Sequence, residues 1–109
     1  MTEEEKFEKL YIQEYSYQVK LHFPKLTEVK NNYPDKLLSQ KEYYKTILLN
    51  SASAIVEPVV DFYNIDLTLI FGEGYAKHYM IKQLSLKISS IKINIIKQLD
   101  DFYEDLLNQ

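Results

Sequence analysis

The chain has 109 residues, 46% hydrophobic and 27% charged, with a net charge of −3. That length suits one domain with its own core, and the composition excludes a disordered chain. Cysteine is absent, which rules out disulfides and thiolate metal sites; all 13 basic side chains are lysine, so no arginine fork is available for phosphate or carboxylate.

No stretch approaches the ~18 uninterrupted apolar residues of a membrane span. The acidic start, Thr2 to Lys6, lacks the basic-then-apolar pattern of a secretory signal. The expectation is a soluble, cytoplasmic protein with no membrane partner. Abundant Ile, Lys, Asn and Tyr match AT-rich coding, as in a low-GC bacterium or one of its mobile elements.

In chain order, the first helix starts at Thr2, because Thr2 and Glu5 form a capping box in which each side chain satisfies an orphan amide. Phe7, Leu10, Tyr11 and Tyr15 share its apolar face. Tyr17, Val19, Leu21 and Phe23 then alternate with polar residues, which permits a strand, but no turn signal intervenes. A helix running to about His22 and ended by Pro24 is the preferred assignment. Lys25 to Tyr33 reads as a connector of one or two helical turns. Asn31 to Asp35 is the clearest turn, since Pro34 pushes Tyr33 out of helical conformation.

A second helix opens at Asp35 or at Ser39, where Ser39 and Glu42 spell another capping box, and it carries Tyr44, Ile47, Leu48 and Ile55 on one face. Pro58 either kinks the chain or opens a new helix. Ile65, Leu67, Leu69 and Phe71 alternate, the second place where a strand is conceivable. Gly72-Glu73-Gly74 closes that stretch with a reversal that needs positive φ.

The last third holds the strongest pattern: Ile81, Leu84, Ile88, Ile91, Ile95, Leu99, Phe102 and Leu106 step by three or four, one face of a helix. The expected fold is an all-α bundle of about four helices, 3–22, 40–56, 59–71 and 75–107, in one domain spanning 1–109. The alternative is an α+β domain with short strands near 17–23 and 65–71. A straight 33-residue helix would span about 50 Å, against a radius of gyration of ~13 Å for a globule of this size. The last helix therefore breaks, near Ser89-Ser90, or protrudes and pairs with another chain.

Behind the ladder lies a second apolar stripe, Tyr79, Leu86 and Ile93, seven residues apart. A helix apolar on two sides is buried on both or offers one to a partner. Charge is segregated as well. Thr46 to Ala76 holds Glu57, Asp61, Asp66 and Glu73 and no lysine. Lys77, Lys82, Lys87, Lys92 and Lys97 follow without an acid, and Asp100, Asp101, Glu104 and Asp105 come after them.

The lysine block is a candidate anion-binding surface, or else it balances the acidic segment within the fold. Lysines five apart advance by about 140° around a helix, so they spiral instead of forming a stripe. Nucleic acid is accordingly disfavoured as a partner.

No His-Glu-x-x-His, Glu-x-x-His or phosphate-loop pattern occurs. His78 is the one acid–base candidate to watch, and Glu57 with Asp61 is a solvated pair. No catalytic residue, metal or cofactor is expected. The tyrosines divide between two roles, interface anchors or core-margin residues. The expected function is a non-enzymatic protein-interaction module (adaptor, regulator or inhibitor) that contacts another protein, or a second copy of itself, through Tyr79, Leu86 and Ile93, with acidic flanks setting partner choice. The alternative is a nucleic-acid accessory protein acting through the lysines.

Overall fold

The computed structural model describes all 109 residues and contains no strand. Its helices are α1 (Glu3–Lys20), α2 (Phe23–Asn32), α3 (Leu37–Ser51), α4 (Val56–Phe62), α5 (Leu67–Phe71), α6 (Lys77–Lys87) and α7 (Ser89–Leu107). Single 3-10 turns at Pro34–Lys36 and Ser53–Ile55 lead into α3 and α4. The fold is all-α, and helix covers 83% of the chain, so both alternating stretches decline the strand option.

Local chemistry explains most boundaries. The Thr2–Glu5 capping box forms with both of its hydrogen bonds, 3.1 and 3.2 Å long. The first helix stops at Lys20, two residues short of the expected end. Phe23 and Pro24 instead open α2, where proline's missing N–H costs nothing because first-turn amides lack intrahelical acceptors. The expected connector thus becomes a ten-residue helix. Ser39 does not cap α3; its hydroxyl donates to Lys36 O within the first turn.

Pro58 sits in the first turn of α4, again where no acceptor is needed. The single helix expected over 59–71 divides in two. Asn64 turns the chain with φ +52°, and Asp66 then caps α5 by accepting the Thr68 amide at 3.0 Å. Gly72 and Gly74 follow at φ +89° and +92°.

The long last helix breaks at Ile88, whose φ of −81° and ψ of 0° place it outside the α basin, beside the expected Ser89-Ser90 position. Both flanking turns stay bonded across it, Ile88 N–H to Leu84 O at 3.1 Å and Lys92 N–H to Ile88 O at 2.8 Å. The ladder survives the break. Leu84, Ile88, Ile95, Leu99 and Leu106 are buried, and Ile81, Ile91 and Phe102 pack against the same core.

One contiguous cluster of 20 buried residues runs through the molecule, which measures 54 × 24 × 21 Å along its principal axes. Helix α1 is its spine. It packs most extensively on α7 and also touches α4 and α5, while α3 and α2 close over α7. Phe7, Tyr11, Tyr15 and Val19 form the buried edge of α1.

Candidate interaction surfaces

The two buried tyrosines resolve one of the expected dichotomies. The Tyr11 hydroxyl donates to Ala52 O at 2.9 Å, and the Tyr15 hydroxyl donates to Leu48 O at 2.6 Å. Both acceptors lie at the C-terminal end of α3, where carbonyls lose their helical partners. These tyrosines are core struts between α1 and α3. Tyr17, Tyr33, Tyr43, Tyr75 and Tyr79 are instead exposed.

The residues expected to bind a partner stand on the outer face of the α6–α7 pair. Tyr79 is 44% exposed, Leu86 60% and Ile93 53%, whereas Leu84 and Ile88 beside them are sealed in the core. Tyr75 stacks on Tyr79 with ring centroids 5.5 Å apart and planes 17° from parallel. That stack limits the rotamers of Tyr79 before any partner arrives, which lowers the entropy cost of contact.

The lysine block is divided. Lys77 donates to Asp61 at 2.8 Å, and Lys87 donates to Glu4 at 2.5 Å while lying 5.5 Å from the Phe71 ring centre. The hydrogen bond to Asp61 raises the pKa of Lys77. Lys82, Lys92 and Lys97 join no ion pair, and Lys82 and Lys97 are exposed. Balance against the acidic segment therefore holds for Lys77, and Lys87 reaches α1 instead. Lys82 follows Tyr79 by three residues and Lys97 follows Ile93 by four, so each lysine shares a helical face with its apolar neighbour.

Two features lie outside the sequence reading. Lys41 is the one buried charged residue; it donates to Asp100 at 3.0 Å and Glu42 at 2.7 Å and sits 4.9 Å above the Tyr103 ring. Lys45 completes the clamp by donating to the other Asp100 oxygen at 2.9 Å. Burial works to raise the Asp100 pKa, but hydrogen bonds from Lys45 and Lys41 outweigh it and hold the carboxyl below its ordinary value. So one member of the acidic C-terminal run ties α7 to α3. Lys30 Nζ donates to Leu106 O, offsetting the unfavourable acids at that helix end.

The second feature is a trough of about 470 Å³ between α1 and the Ser53–Phe62 segment, lined by Glu14, Gln18, Ala54, Ile55, Pro58 and Phe62 among others. Periodicity could not reveal it, because it depends on how α4 is set against α1.

The remaining sequence candidates stand apart. His78 is exposed on α6, and His22 packs against Tyr44 with centroids 4.9 Å apart. Asp61 pairs with Lys77, and Glu57 points to solvent. No group of three His, Asp or Glu side chains converges in a metal-binding arrangement, and no helix is long and apolar enough to cross a membrane. No protein-family model, curated protein or solved structure matches the chain.

Proposed function

We propose that the protein is a non-enzymatic interaction module that docks another protein, or a second copy of itself, through the outer face of α6 and α7. The observation that supports this is the exposure of Tyr79, Leu86 and Ile93, three large apolar side chains on helices whose other face already fills the core. Aromatic and aliphatic anchors of this kind carry binding energy out of proportion to their number. The unpaired Lys82 and Lys97 lie on the same face, so lysines join the acidic flanks in setting partner choice.

The test is a pair of pull-downs from the native host with the wild type and a Leu86→Glu/Ile93→Glu variant, with light scattering on each. A partner, or a dimer mass, present with the wild type and lost with the variant supports the module. A monomer whose Tyr79, Leu86 and Ile93 are labelled equally in extract and in buffer refutes it. A gel shift with DNA or RNA that weakens steeply with salt would favour the nucleic-acid reading. Neutralisation of Lys77 and Lys87 by Asp61 and Glu4 counts against that alternative.

A further inference from the structure

The trough between α1 and α4 shares no residue with the α6–α7 face. Its long wall is the line Ala54, Pro58, Phe62, spaced four residues apart, which spans about 12 Å at 1.5 Å per residue. All three are exposed, Phe62 to 78%. An enclosing pocket would cover most of a small ligand's surface; an open channel of this length matches two turns of a bound helix instead. Phe62 stands at its lip, held edge-on against Tyr63 at 4.9 Å between centroids.

Charge narrows the occupant. Glu14 lines the trough, its carboxylate met only by the Gln18 amide at 3.3 Å. That carboxylate belongs to no ion pair. No lysine lies among the lining residues, nor anywhere from Thr46 to Ala76. An apolar channel with an uncompensated carboxylate in its wall and no cation complements an apolar helix edged with a cation. We propose that this trough docks a short amphipathic helix of a partner protein, carrying lysine or arginine beside its apolar face.

The test uses a labelled synthetic helix of about 15 residues with leucines at i, i+3, i+4 and i+7 and lysines elsewhere, beside a twin with glutamates for lysines. Fluorescence anisotropy against the whole protein should favour the lysine peptide by about tenfold. Ala54→Arg, placed on the exposed wall, should weaken that binding by about tenfold, and Glu14→Lys should abolish the preference between the twins. Circular dichroism melts establish that these surface variants fold.

Equal binding of the two peptides, or indifference to Ala54→Arg, overturns the proposal. So does a wild-type dimer that Ala54→Arg dissociates, because the occupant is then a second copy of this chain. The Leu86→Glu/Ile93→Glu variant should bind the lysine peptide unchanged; if it alone loses binding, the peptide sits on the α6–α7 face and the trough is not its site.

Discussion

Replacing Tyr11 with Phe deletes one oxygen from the core and nothing else. The lost bond runs 2.9 Å to Ala52 O, at a residue with no solvent exposure. The only other donor to that carbonyl is the Ile55 amide at 3.4 Å, too long to compensate fully. A net hydrogen bond contributes about 1 kcal/mol, and a stranded buried carbonyl costs a further ~1 kcal/mol or more, so Tyr11→Phe should destabilise by about 2 kcal/mol. Tyr15→Phe should cost only about 1 kcal/mol despite its shorter bond, because Leu48 O retains the Ser51 hydroxyl at 3.2 Å. Urea titration reads both as a fall in midpoint at constant slope, of about 1–2 M for Tyr11→Phe. Equal costs for the two variants, or a Tyr11 effect below about 0.3 kcal/mol, would refute the view that these hydroxyls cap α3.

The same residues set the alkaline limb. Burial pushes the Tyr15 hydroxyl up to about 12, and it drives Tyr11 higher still, with help from Tyr15 nearby. An unfolded tyrosine ionises near pH ~10. Above that the unfolded chain binds fewer protons, so stability is whole below about pH 10 and falls as pH climbs towards 12. Tyr15→Phe should flatten that decline.

Three further outcomes are expected. Leu84→Ala, in the sealed core, should cost about 3 kcal/mol, whereas Leu86→Glu two residues on should stay within about 0.5 kcal/mol by thermal melt. Asp100→Asn should cost about 2 kcal/mol at neutral pH, less than a fully buried pair because Glu42 still faces Lys41. Since the Asp100 carboxyl is depressed in the fold, that difference should be full above about pH 4 and vanish as acid protonates it, which paired acid titrations will follow. Gly72→Ala should cost about 1–3 kcal/mol in a melt, because φ +89° with ψ −179° is a region open essentially to glycine alone.

The helical ladder was legible because its period is a property of one segment read alone. Burial of Leu84, Ile88, Ile95 and Leu99 follows from their spacing whatever they pack against. Length against domain size left two outcomes, a break near Ser89-Ser90 or a protruding helix paired with another chain, and only the fold decides for the break at Ile88. Boundaries at 20–24 and 62–67 were not legible. There a proline that ends one helix equally starts the next, and an asparagine such as Asn64 is compatible with a positive φ without requiring it. The Lys41–Asp100 clamp joins residues 59 positions apart, and no local pattern marks such a pair. The second stripe could be named from its seven-residue repeat, but its exposure needed the placement of every other helix.

The pairing of α1 with α7 has a consequence for the chain as it is made. The Gln98–Ser16 hydrogen bond joins positions 82 residues apart. At about 5–20 residues per second, α1 waits roughly 4–16 s for its principal neighbour to be synthesised. Until then the apolar edge Phe7, Tyr11, Tyr15 and Val19 can be covered only by α3, α4 and α5, which are made first. Yield in the cell is then governed by how fast the ribosome delivers α7, and by what guards that edge meanwhile, as much as by the stability of the finished bundle.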